Sequence, residues 1–317
     1  MIKQMFILVL VVGLTHCKQG SGNGLTIEYK KTFDSIPSAS GLAIRGDSAY
    51  VVCDDGTGIY QINLRNFHQR KIEIKGLPFN QYREPKPVKH DFESACFVKW
   101  QGKDYLMAMG SGSNSTSRDS LLIVNISDYR DQRIISLDQF YKQLQSKTHT
   151  DTTQWNIEGL AVSGNNLIMA NRGNNLLISC DVGEFFSWLM RSNSHFPQTK
   201  YQRIHLPSID KHEARLSGVC NLDEQNLLVC ASVEDTPDWT KDGPVLGSSF
   251  AVYSLKNDKV ASTYLLQDER GKPLKEKIES VDVLQKTANG DLIFLALGEN
   301  DNGSSELFRI NLRWAGH

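Results

Sequence analysis

Five segments of the chain restart on one pattern, and that repetition restricts the fold more than any other feature. They begin Ser40-Gly41-Leu42-Ala43, Glu93-Ser94-Ala95-Cys96, Glu158-Gly159-Leu160-Ala161, Ser217-Gly218-Val219-Cys220 and Glu279-Ser280-Val281-Asp282. Each start leads through a turn to a second apolar run, at 49–53, 105–109, 167–170, 227–231 and 292–297. A third run follows at 58–64, 121–126, 176–180, 250–255 and 306–312, and a fourth at 70–74, 133–137, 201–206 and 260–266. Four short strands per unit, with Gly, Asn and Asp at the joints, describe a propeller blade. The first two runs of each unit are almost wholly apolar, as strands covered on both faces must be. The expected fold is therefore an all-β propeller of five four-stranded blades, with a sixth, degenerate blade as the alternative count.

The fifth unit lacks a fourth run, whereas Leu25–Phe33 alternates apolar with polar residues and has no unit of its own. Placing that run as the outer strand of the last blade closes the ring and removes an open sheet edge. Three segments are too long for plain connections. One is a Pro-bearing loop at 76–91; the other two, at 137–156 and 182–200, contain short helical patterns at 138–144 and 184–190.

The first residues address the chain for export. Lys3 precedes an apolar stretch at 5–13, too short to cross a bilayer, which reads as a signal peptide. It ends Leu14-Thr15-His16-Cys17 and resembles the lipobox of bacterial lipoproteins. That resemblance implies lipidation at Cys17, a membrane anchor and a periplasm-facing protein; ordinary secretion with an incidental thiol is the alternative. The expected boundaries are a signal peptide at 1–16, a flexible tether at 17–24 and one propeller domain at 25–317. Basic and acidic residues number 35 and 36, so no basic excess exists to attract nucleic acid. The later cysteines show no metal-ligand spacing; a disulfide between Cys220 and Cys230 is conceivable across one hairpin.

In an antiparallel blade the start of the innermost strand lies beside the end of the second. Ser40, Glu93, Glu158, Ser217 and Glu279 should thus form one ring near the axis. The loops after the second strands join them, bringing Asp54, Asn171, Arg172, Glu234 and Trp239. Three glutamates on a small ring repel unless a cation sits among them. Hard oxygen donors of this kind suit Ca2+, with Glu93, Glu158 and Glu279 as the expected metal ligands. Arg172 would hold an anionic group, with Asn171, Asp54, Glu234 and Trp239 as further ligand contacts. Glu93, Glu158 and His90 are the candidate catalytic groups, although a glutamate at a blade start can also serve only to tie blades together.

The motif Asn156-Ile157-Glu158-Gly159-Leu160-Ala161, followed by Asn171-Arg172-Gly173, resembles the blade repeat of the esterase-like phytase family. The layout is also similar to uncharacterised propeller lipoproteins of Bacteroidota. These resemblances imply a propeller with an acidic axial site and transfer no catalytic residue. Two functions follow as expectations. One is a small-ligand site at the channel mouth, calcium-dependent, hydrolysing a phosphoester, ester or lactone. The other is a non-catalytic envelope scaffold that binds a protein or glycan through its loop face, with Trp239, Trp155, Phe79 and Tyr82 as anchors.

Overall fold

Every apolar run of the repeat is a strand in the computed structural model, which describes residues 19–20, 24–78, 80–113, 117–191, 195–236, 243–300 and 303–314. Strands β1 (Gln19–Gly20) and β2 (Leu25–Phe33) precede the first blade. Blade one is β3 (Ala39–Arg45), β4 (Ser48–Cys53), β5 (Gly58–Asn63) and β6 (Gln69–Glu73). Blade two is β7 (Phe92–Trp100), β8 (Lys103–Gly110), β9 (Ser120–Asn125) and β10 (Gln132–Ser136). Helix α1 (Asp138–Thr148) leads to blade three: β11 (Ile157–Ser163), β12 (Asn166–Asn171), β13 (Leu176–Asp181), helix α2 (Val182–Leu189) and β14 (Thr199–Arg203). A small hairpin, β15 (Ser208–Ile209) and β16 (His212–Glu213), precedes blade four. That blade is β17 (Arg215–Asn221), β18 (Asn226–Glu234), β19 (Val245–Ser254) and β20 (Lys259–Leu265). Blade five is β21 (Lys277–Lys286), β22 (Leu292–Glu299) and β23 (Ser305–Leu312).

Each sheet runs antiparallel from its innermost strand outward, and β2 is hydrogen-bonded along the outer edge of β23, from Leu25 opposite Leu312 to Phe33 opposite Ser305. The innermost strands touch in cyclic order, β3 to β7, β11, β17, β21 and back to β3. The protein is a five-bladed β-propeller.

One local feature recurs in all five innermost strands. The ladder skips a residue between Ala39 and Gly41, Phe92 and Ser94, Ile157 and Gly159, Leu216 and Gly218, and Ile278 and Ser280. The skipped residues are Ser40, Glu93, Glu158, Ser217 and Glu279, the first residue of every repeat. Each is thus a β-bulge, which frees its side chain from the pleat and re-aims it. The next position is Gly or Ser because the neighbouring blade lies against it. A Cβ on Gly159 would fall 2.8 Å from the Ala170 methyl and 2.9 Å from the Val219 nitrogen.

Apolar side chains from adjacent blades meet between the sheets. Met107, Leu160 and Met169 share one such layer with Trp155 and with Phe140, Tyr141 and Leu144 of α1. Helix α1 is longer than the predicted 138–144, because its apolar face continues into the core as far as Thr148. Helix α2 is capped by Asp181, whose side chain accepts from the Glu184 nitrogen at 2.9 Å, and its Phe186 stacks on Trp100 at 4.6 Å. Cys53, Cys96, Cys180, Cys220 and Cys230 are buried free thiols; Cys220 faces Leu228 and Cys230 faces Gly218, so the conceivable disulfide does not form. Among the described residues no helix is long and apolar enough to cross a membrane.

Candidate functional site

The bulges and the loops after the second strands do converge, but they form two groups of opposite character. The first lies between blades one and two. Asp54 follows β4, Glu93 is the bulge of β7, and Asp91 stands just before β7 with a left-handed φ of 57°. One carboxylate oxygen from each of the three lies within 4.8 Å of the other two. Lys89 bridges Asp54 and Asp91, with Nζ 2.6 Å from Asp91 Oδ1. Asp91 also accepts from the Ser111 hydroxyl and lies 3.5 Å from Arg118. Glu93 makes no hydrogen bond or ion pair with any described residue.

Burial first, then the charges of Asp54 and Asp91, push the Glu93 carboxyl well above its ordinary range. Burial and the hydrogen bond with Asp91 push Asp54 up to about 8. Against its own burial, Asp91 is held low by hydrogen bonds from Asp54, Lys89 and Ser111. Asp54 and Glu93 are therefore the groups that retain protons wherever no further cation is supplied, whereas Asp91 stays ionised.

The second group spans blades three to five and is internally neutralised. The buried Arg172 guanidinium donates to Glu158 Oε2 at 3.0 Å, to Ser232 at 3.3 Å and to Glu234 Oε2 at 3.1 Å. Lys277 pairs with Glu279 at 2.9 Å and with Glu234 at 3.5 Å. Asn156 donates to the other Glu158 oxygen at 2.6 Å. Burial still raises Glu158 to about 7, opposed by Arg172 and assisted by Glu279. Counting both groups, six carboxyl groups (Asp54, Asp91, Glu93, Glu158, Glu234, Glu279) face four cations (Lys89, Arg118, Arg172, Lys277), a surplus of two acids that protons on Asp54 and Glu93 offset.

The three ring glutamates thus share one electrostatic neighbourhood, yet only Glu93 lies in a set close enough to share an ion, and its companions are Asp54 and Asp91 rather than Glu158 and Glu279. The reason is Arg172 and Lys277, which occupy the other two. Asn171, expected as a ligand contact, is fully buried and ties its own loop together. It donates to Gln154 at 2.8 Å and Asn174 at 2.7 Å, and accepts from the Asn156 nitrogen at 2.6 Å. His90 is clamped by Glu84, whose Oε1 lies 2.9 Å from Nδ1, and its ring stacks on Phe92. Trp155, expected at the rim, is wholly buried against Tyr141. Trp239, Phe79 and Cys17 lie outside the described residues.

Sequence reasoning missed Lys89 and Lys277, and a signal for the second exists. Two residues before each bulge stand Ser38, Asp91, Asn156, Arg215 and Lys277, all polar in otherwise apolar surroundings. Three of them meet their own bulge glutamate: Asp91 beside Glu93, Asn156 on Glu158 and Lys277 on Glu279.

A family described as being of unknown function, DUF6929, matches residues 35–312. No curated protein matches the chain in sequence. Among solved structures it is similar to Kuenenia stuttgartiensis hydrazine synthase (12% identity, 84% of this chain and 57% of that one, TM-score 0.38). It is also similar to apo AztD from Citrobacter koseri (15%, 75% and 49%, TM-score 0.32) and to glutaminyl cyclase of Myxococcus xanthus (9%, 90% and 95%, TM-score 0.49). The chain spans about half the length of the first two.

Proposed function

We propose that this chain, which belongs to the DUF6929 family, holds a divalent cation at Asp54, Asp91 and Glu93 and uses it to bind a small anionic ligand at the mouth of the propeller. One observation carries the reading: three carboxylates converge on one point, and the one cation that acts on Glu93, Lys89, is paired with Asp54 and Asp91. All donors are hard oxygens, which favours Ca2+ over softer metals. Arg172 is committed to Glu158 and Glu234, so the anion contact passes to Arg118, whose buried Nε has no partner among the described residues. A cation so placed would polarise an ester, lactone or phosphoester oxygen and lower the pKa of a bound water; hydrolysis is the extension of this reading.

Calorimetric titration with CaCl2 tests it. The protein should bind one Ca2+, and Glu93→Gln, which keeps shape and removes charge, should weaken binding by about tenfold or more. Lys89→Met should act in the opposite direction, because it removes the ammonium that competes for Asp54 and Asp91. No binding at millimolar Ca2+, or equal binding by Glu93→Gln, would sink the proposal. The envelope-scaffold reading would then be preferred, with Tyr82 and Val88, 44% and 56% exposed in the connection before β7, as the first contacts to mutate.

The export reading joins this one as a proposal: a bacterial lipoprotein anchored through Cys17, with the propeller in the periplasm. The protein should fractionate with membranes, and Cys17→Ser should release it to the soluble fraction or block its maturation. An identical soluble distribution of both forms would end the anchor proposal.

A further inference from the structure

The axis has a second end. Residues from all five innermost strands, two to four positions beyond the bulges, line a cavity of about 170 Å3 there. Its walls are Leu42 and Ile44 of β3, Phe97 of β7, Val162 of β11 and their neighbours, and its one acidic residue is Asp282 of β21. Cys96 and Cys220 also line it, but burial pushes both thiols far up and keeps them neutral. Asp282 is therefore the only lining group that carries charge.

Its carboxylate is fixed in place. Oδ2 accepts from the Ile44 nitrogen at 2.6 Å, and Oδ1 from its own neighbour, the Val283 nitrogen, at 2.8 Å. Capping the edge of β3 does not require a charge, as Ser280 shows: its hydroxyl accepts from the Leu42 nitrogen at 3.0 Å, one step along the same strand. A carboxylate in that role carries a desolvation cost that a hydroxyl or amide avoids. Burial accordingly raises Asp282 to about 7. The nearest cation along β3, Arg45, is engaged elsewhere, 2.7 Å from Asp104 and over the Phe97 ring. Asp282 is thus an oriented anion at a cavity whose walls are part apolar and part polar, with Asn221 as the other polar side chain, and among the described residues it has no salt-bridge partner.

We propose that this cavity binds a small organic cation, an amine with an apolar body, for which Asp282 is the counter-ion and Phe97, Ile44 and Val162 form the apolar walls. The volume sets the scale: an apolar cavity of about 150 Å3 admits a benzene-sized molecule. The site lies at the opposite end of the axis from the carboxylate triad and does not depend on the cation proposed there.

Calorimetry with benzylammonium, against benzyl alcohol as its uncharged counterpart, tests the proposal at a pH above the Asp282 value. Benzylammonium should bind and benzyl alcohol should bind much more weakly. Asp282→Asn, which retains an oxygen for the Ile44 nitrogen, should weaken benzylammonium by roughly 10- to 100-fold, the loss of one charge-assisted contact. Val162→Phe, which fills the cavity without touching Asp282, should abolish binding and covers the case in which Asp282→Asn fails to fold. Absence of benzylammonium binding at millimolar concentration, equal binding of the alcohol, or binding unaffected by Val162→Phe would each overturn it.

Discussion

Replacing Arg172 with methionine should destabilise the propeller by about 3–5 kcal/mol, the range for removing one partner of a buried ion pair. Methionine retains the length of the side chain and part of its packing, so the loss is electrostatic. The guanidinium is 7% exposed and reaches Glu158, 11% exposed, and Glu234, 6% exposed, from different blades. Without it two carboxylates remain in the interior with only Lys277 and Asn156 to meet them. The penalty should depend on pH, and its sign follows from Glu158. In the native protein burial holds that carboxyl at about 7, above its ordinary value, while Arg172 pulls it down. Removing Arg172 raises it further. Near pH 5 Glu158 is protonated in both proteins, so the variants differ mainly in hydrogen bonds. Above about pH 7 the wild type ionises against Arg172 and the variant only against the weaker field of Lys277, so the difference grows with pH. Arg172→Lys should fall between the two, since lysine keeps charge but cannot fork between two glutamates. Urea melts at both pH values decide the matter: a cost below about 1 kcal/mol, or one that shrinks as pH rises, would show that the network does not bind the blades together.

The fold was legible because a propeller writes its geometry into each unit. In Glu158-Gly159-Leu160-Ala161 the glutamate is the bulge and the glycine admits the neighbouring strand, while the leucine fills the layer between blades two and three. The same logic explains why a motif shared with phytase-like propellers describes a blade before it describes a reaction. The ring of glutamates was legible for the same reason, since equivalent positions of a repeat are related by rotation. Which carboxylates would be neutralised was not legible. That depends on Lys89 in an irregular connection and on how Arg172 divides between Glu158 and Glu234, two choices made by loop conformation and not by the repeat. Asn171 was not legible for a related reason: a conspicuous polar residue beside the ring carries no mark that separates a ligand contact from a turn-closing amide, and Asn171 closes the turn that presents Arg172.

Deleting Leu25–Phe33 should abolish cooperative unfolding and send the protein into aggregates, although the segment lies outside the five repeats. The strand buries Leu25, Ile27 and Phe33, and burial of three such side chains contributes about 5–9 kcal/mol. That is comparable with the whole net stability of an ordinary domain, about 5–15 kcal/mol. Its removal also exposes the eight-residue edge of β23, whose residues are almost all buried, and an unpaired apolar edge templates association with other chains. Three ion pairs go with it, Arg309 with Glu28 at 2.6 Å and Lys30 with Glu306 at 3.0 Å and Glu276 at 3.2 Å, all too exposed to decide the outcome. The register supplies a control. Leu25 stands opposite Leu312 and the strands are antiparallel, so the same nine residues appended after residue 314 through a short turn could re-form the sheet as a hairpin. Relocation should restore a cooperative melt and a monomeric protein, because the requirement is for a strand at that edge and not for its place in the chain. A deletion variant that stays monomeric and melts like the wild type would show that β2 is dispensable. Failure of the relocated strand alone to rescue would mean that the fifth sheet needs its outer strand to arrive from the other end of the chain.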